Sequence, residues 1–235
     1  MSEHILIEKE DNILHIKFNR PESRNAITRE MFEILLSTLE ECKKDNTIRA
    51  IILSGEGEAF SAGGDVKDMA TREDKSSLQN KTSSLRRIMG VSELLYSLPI
   101  PSIAIINGPA AGAAFAISLA CDLRIATENA KFVTAFAKIG FSGDFGGSYF
   151  LTKIVGTAKA RELYYLSETI YAQKAKELGI INQLIESDNL DVYVEELKSK
   201  FQALPPIAIR FMKKNLNNAE LGNLDLSLND EALYM

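Results

Sequence analysis

The chain has 235 residues and a mass of 26.0 kDa, the size of one large domain or one domain with a small appendage. Apolar residues make up 46% and charged residues 25%, so a sizeable core is possible and gross disorder is excluded. Lys plus Arg is 27 against 32 for Asp plus Glu, a net charge of −5, which lacks the basic field of a nucleic-acid binder. The two cysteines, Cys42 and Cys121, form no CxxC pair and no zinc spacing, and read as reduced thiols in a cytosolic-type compartment. The two histidines, His4 and His15, both lie near the start, which excludes schemes that need a mid-chain histidine base. The first ten residues have neither a basic start nor an apolar run, so no secretory leader is expected and the location reads as cytoplasmic. The most apolar stretch, 110–121, is too short and too rich in Ala and Gly to cross a bilayer.

In chain order, residues 5–8 and 13–18 read as two strands around a turn at Asp11-Asn12. Thr28 caps a helix whose stripe of Met31, Ile34, Leu35 and Leu39 has helical spacing. Residues 50–53 are a solid apolar run of strand length, followed by the turn Ser54-Gly55-Glu56-Gly57. A polar stretch over 71–84 reads as mobile or solvated, and 85–98 as one helix stopped by Pro99 and Pro101. Then come a buried-type strand at 103–106, a helix of small residues at 112–120 and a strand at 123–126. Helices follow, with a strand near 180–184 and an amphipathic helix at 205–218. Repeated strand–helix–strand units predict an α/β layer architecture without a linker that would divide independent domains.

Two loops run from a buried strand into a helix and leave backbone amides open to an anion or oxyanion. One is Phe60-Ser61-Ala62-Gly63-Gly64-Asp65, expected to lead into a helix near Val66; the other is Asn107-Gly108-Pro109-Ala110-Ala111-Gly112-Ala113-Ala114. Neither is a dinucleotide fingerprint or a Walker loop. A third Gly-rich loop, Gly140-Phe141-Ser142-Gly143-Asp144-Phe145-Gly146-Gly147, holds Asp144. That residue reads either as a turn former or helix cap, or as a carboxylate whose pKa is raised by Phe141 and Phe145 on either side.

Taken in order, these segments resemble the crotonase superfamily, also called the enoyl-CoA hydratase/isomerase family. The resemblance rests on Asn19-Arg20-Pro21-Glu22 with Arg24-Asn25-Ala26, on Phe60 to Lys67, on 101–108 and 120–126, on Gly146-Gly147 with Ile154-Val155-Gly156, and on 172–182 and 206–217. It implies a spiral of repeated ββα units over 1–190 with a C-terminal helical region, 191–235, that is shorter than usual. It also implies assembly as a homotrimer or dimer of trimers, a coenzyme A thioester as small-molecule partner, a place in fatty acid metabolism, and no separate cofactor or metal. Carried over position by position, the N–H groups of Gly64 and Ala113 would form an oxyanion hole. Arg24, Ala26, Ala62, Gly64, Asp65, Val66 and Lys67 would line the CoA side, Arg24 and Lys67 as phosphate or adenosine contacts.

Family hydratases use two glutamates. Their places here are Ala116, four residues after Gly112, and Phe136, four residues before Gly140. Hydration of a double bond is therefore not expected. Asp144 stands where isomerases of the family, among them the ring-epoxide isomerase of phenylacetyl-CoA degradation, carry an acid–base carboxylate. The resemblance thus implies a double-bond or ring-epoxide isomerase with Asp144 as the proton-transfer group and Phe136 and Phe141 as pocket wall or plain core packing. Other readings are a residual hydratase, an aryl-CoA dehalogenase with Asp144 as nucleophile, and a CoA-thioester binder without catalysis. The dehalogenase mechanism also calls for a Trp and a mid-chain His, which the sequence lacks. An RNA-associated homologue is disfavoured by the net charge.

Overall fold

A computed structural model describes residues 3–66 and 76–234. Two β-sheets wind together. Strands β1 (Ile5–Glu10), β2 (Ile13–Phe18), β3 (Ala50–Gly55), β4 (Ser102–Ile106), β6 (Leu123–Thr127) and β9 (Gln183–Ile185) lie side by side in that order. β1 and β2 are antiparallel, joined by Asp11 and Asn12 at φ 47° and 65°, the left-handed pair that a two-residue hairpin turn demands. The other neighbours are parallel. A smaller sheet holds β5 (Pro109–Ala111), β7 (Lys131–Val133) and β8 (Ile170–Tyr171). It is extended by single bridges from Ser61 to Ala110 and from Gly64 to Ile27. Successive turns of the chain thus place one strand in the large sheet, one short segment in the small one, and then a helix. This is the crotonase-type α/β spiral.

The apolar runs of β3 and β4 are explained by burial on both faces. Ile51, Leu53, Ala104 and Ile106 face the main core. Ala50, Ile52, Ile103 and Ile105 face the opposite side, where Tyr193, Val194, Leu197 and Phe201 of a helix at Leu190–Ala203 cover them. The main core is filled by α1 (Arg29–Cys42) with Met31, Phe32, Leu35 and Leu39, and by the small-residue helix at Gly112–Ala120. Thr28 caps α1, its Oγ1 accepting from the Met31 amide at 3.3 Å.

The stretch expected as one helix over 85–98 is two: α2 (Leu78–Ile88) and α3 (Gly90–Ser97), joined at Met89. Part of the polar segment over 71–84 is therefore helical and begins at Ser77, whose Oγ accepts from the Asn80 amide at 3.2 Å; α2 buries only Ile88, which is why its sequence lacks an apolar stripe. Residues 71–75 of that segment lie outside the described residues. The remaining helices are α4 (Gly112–Ala120), α5 (Gly147–Val155), α6 (Thr157–Leu166), α7 (Ala172–Glu177), α8 (Leu190–Ala203), α9 (Pro206–Ala219) and α10 (Leu224–Leu233). Among the described residues no helix is long and apolar enough to cross a membrane.

A buried cation fastens α9 to the spiral. Lys213, 6% exposed, donates to the carbonyls of Leu95 and Ile100 at 2.7 and 2.9 Å and pairs with Asp122 at 2.8 Å. The Asp122 carboxylate also accepts from the Ser102 amide at 2.7 Å. Removing one partner strands the other charge away from water, so Asp122→Ala is expected to cost about 3 kcal/mol. Urea unfolding of the two proteins checks this, together with faster proteolysis within α9 and α10.

Candidate active site

The site is built where the small sheet meets the start of α4. Asn25, fully buried, ties the first loop together: its Nδ2 donates to the carbonyls of Glu56 and Ala59 at 2.8 and 2.7 Å, and its Oδ1 accepts from the Arg20 amide at 2.8 Å. Residues 61–65 then run between two strands. On one side the Ala62 amide donates to the Arg24 carbonyl at 2.8 Å, the Ile27 amide to Gly63 at 2.8 Å and the Asp65 amide to Ile27 at 3.0 Å. On the other, the Ser61 amide donates to Pro109 at 3.1 Å and the Ala111 amide to Ser61 at 3.0 Å. Amides alternate in direction along an extended segment, so the Gly64 N–H turns away from Ile27 toward the α4 side. It has no acceptor among the described residues.

Ala113 is the second residue of α4, and its N–H is one of the first-turn amides without an intrahelical acceptor. The two backbones touch at Gly63. Its φ is +91°, and a Cβ there would stand 2.6 Å from the Ala111 carbonyl oxygen and 3.5 Å from the Ala113 nitrogen. Only glycine permits that approach. The loop that carries Gly64 thus comes against the start of α4, the positive end of its dipole.

Arg24, Ala62 and Val66 are exposed along the neighbouring rim, and Ala26 is half-buried beside them. Lys67 lies outside the described residues. Asp65 is placed differently from a substrate contact: its carboxylate pairs with Arg20 Nη1 at 2.9 Å, and the same Nη1 donates to the Ala26 carbonyl at 2.7 Å. Asp65 therefore braces the loop against the preceding turn.

Asp144 lies on the third loop, whose Gly147 packs against Ala116 of α4. Its side chain is half-buried, and Oδ1, shielded from solvent, has no hydrogen-bond partner among the described residues. Burial raises the carboxyl from 3.8 to about 6. The two flanking phenylalanines are placed differently from each other. Phe145 turns into the core and stacks on Phe32 of α1 at 4.6 Å, while Phe141 is 58% exposed. Phe145 thus anchors the loop, and Phe141 lies at the surface. Phe136 is buried, its ring 3.9 Å from the Cβ position at Gly112, next to the Ala113 amide, and it stacks on Tyr164 at 6.2 Å. Ala116 is buried one turn further along α4.

Sequence reasoning assigns no role to Arg20 and Asn25, which enter it only as motif residues, and does not single out Tyr164. The first two act through contacts distant along the chain. Tyr164 had a signal: with Ala160, Leu163 and Ser167 it falls on one face of α6, and a tyrosine on an inward face needs somewhere for its hydroxyl. Among the described residues no group of His, Cys, Asp and Glu is arranged to hold a metal ion.

The raised carboxyl has a stability consequence. Between pH 4 and about 6 the folded chain keeps a proton that the unfolded chain has lost, so stability falls as pH rises through that window. Above it, the ionised buried carboxylate is a standing cost. Asp144→Asn is therefore expected to stabilise the protein by about 2 kcal/mol at pH 8 and by almost nothing below pH 4. Urea unfolding at the two pH values checks the sign; greater stabilisation at the lower pH contradicts it.

Residues 8–231 match the family described as enoyl-CoA hydratase/isomerase. Among curated proteins, the chain is 33% identical over 234 residues to a 1,2-epoxyphenylacetyl-CoA isomerase of Escherichia coli (strain K12), covering 100% of this chain and 89% of that protein. It is 32% identical to a 4-chlorobenzoyl coenzyme A dehalogenase of an Arthrobacter species, covering 86% and 73%. Among solved structures, an enoyl-CoA hydratase from Bacillus anthracis superposes with a TM-score of 0.90 at 30% identity, covering 98% of this chain and 89% of that one. With the spiral fold and these matches along nearly its whole length, the chain belongs to the enoyl-CoA hydratase/isomerase family.

Proposed function

We propose that the protein is an acyl-CoA isomerase that shifts a double bond, or opens a ring-epoxide, by proton transfer through the single carboxylate Asp144. The observation that carries this reading is that carboxylate: half-buried, without a hydrogen-bond partner for its shielded Oδ1 among the described residues, raised by burial to about 6, and on a loop that packs against α4. Ala116 and Phe136 stand where a hydratase of the family has its glutamates, which leaves no carboxylate at either place to activate water. Similarity to a protein named as an epoxyphenylacetyl-CoA isomerase supports the same direction.

In the proposed reaction the thioester carbonyl oxygen accepts from the N–H groups of Gly64 and Ala113. Asp144 takes a proton from carbon 2 of a 3-enoyl thioester. The C–H electron pair moves into the conjugated system, and the negative charge rests on the oxygen held by the two amides. The protonated Asp144 returns the proton to carbon 4, the π bond shifts to carbons 2 and 3, and the carboxylate is regenerated. Phe136 excludes water that could add to the intermediate. Arg24 and Lys67 are proposed as contacts for the phosphates or adenosine, with Ala26, Ala62 and Val66 along the same side. Coenzyme A enters only as part of the substrate, and assembly as trimers is part of the same proposal.

The test is a panel of 3-enoyl, 2-enoyl, dienoyl and ring-epoxide CoA esters in D2O, read by product mass and deuterium position. Deuterium uptake without gain of a water is expected, and gain of a water without exchange would overturn the reading. The base must be ionised, so kcat/KM rises with pH through about 6 and then levels. Asp144→Asn is expected to lower kcat by roughly 10²–10⁴-fold and to abolish that pH dependence. An unchanged profile in the variant would contradict the assignment.

A further inference from the structure

Tyr164 of α6 packs against Phe136 and the glycines of the third loop. Its ring lies nearly parallel to Phe136, at 13°. Its Oη ends 2.5 Å from where a Cβ at Gly147 would stand and 3.5 Å from a Cβ at Gly143. The same point at Gly147 is 3.0 Å from the Ala116 Cβ. Gly143 and Gly147 bracket Asp144. The phenolic hydroxyl therefore fills the space beside the carboxylate loop and over Ala116, which glycine and alanine keep clear.

Neither Asp144 Oδ1 nor Tyr164 Oη has a hydrogen-bond partner among the described residues, and the Asp144 charge is near enough to act on the phenol. Burial and the neighbouring Asp144 charge raise the phenol pKa, so it stays protonated and acts as a donor. An all-hydrocarbon acyl chain gives this donor nothing to bond, whereas an acyl oxygen satisfies it. A site with such a donor discriminates against ligands that leave it unpaired.

Resting on the reading of this site as an acyl-CoA pocket, we propose that Tyr164 is a specificity-determining donor that selects acyl groups carrying an oxygen, as hydroxyl, ketone or ether, close to the carbons that Asp144 serves.

The test is binding, so that it does not depend on which reaction is catalysed. Dissociation constants are measured by titration calorimetry for hexanoyl-CoA and for hexanoyl-CoA esters hydroxylated at carbon 3, 4 or 5. In wild type at least one hydroxylated ester is expected to bind fivefold or more tightly than hexanoyl-CoA. In Tyr164→Phe, which keeps the ring and its stack on Phe136, that ratio falls to within twofold of one. Gly147→Ala, whose methyl group takes the place of the hydroxyl, is expected to lose the same preference. A preference that survives Tyr164→Phe, or none in wild type, overturns the proposal. If no CoA ester of either kind binds to wild type, the acyl-CoA reading itself fails and takes the proposal with it.

Discussion

The contact between two backbones at Gly63 is the constraint on which the site depends. A loop from one turn of the spiral and the start of α4 from the next approach so closely that a Cβ would stand 2.6 Å from the Ala111 carbonyl oxygen. Hydrogen bonds from Ile27 on one side and Ala111 on the other hold the loop in that place. Asn25 and the Arg20–Asp65 ion pair stiffen the turn that precedes it. What results is a fixed pair of amide directions, and on the proposed reading these need no rearrangement as charge develops on the thioester oxygen.

The carboxylate is held by a different part of the fold. Phe145 fixes its loop by stacking on Phe32, a residue of the first helix, so on the proposed reading core packing and the chemistry share one anchor. The desolvation that raises the Asp144 pKa is a cost to the folded state at neutral pH, and the rest of the core offsets it. A carboxyl raised to about 6 is mostly ionised at pH 7, and on the proposed reading it is still basic enough to take a proton from carbon.

Much of the spiral was legible in the sequence because burial leaves a mark there. The two-sided apolar runs of β3 and β4, the small residues of α4 and the Thr28 cap each follow from local chemistry. β5, β7 and β8 were not legible: strands of two or three residues have too few positions to alternate, and Pro109 pairs with Lys131 across a helix and a strand. The place of Asp144 was readable, but not which phenylalanine serves it. Phe145 has φ +47°, and that left-handed backbone belongs to the turn that sends its ring inward and leaves Phe141 outside. The Arg20–Asp65 pair spans 45 positions and leaves no periodic trace.

The central claim is that two main-chain amides polarise a thioester carbonyl. Infrared difference spectroscopy of a bound acyl-CoA labelled with carbon-13 at the carbonyl tests it most directly. The carbonyl band is expected to move to lower wavenumber on binding and to return toward its solution position in Gly63→Ala, where the added methyl pushes the loop away from α4. A carbonyl band that binds unshifted in the wild-type protein would contradict it.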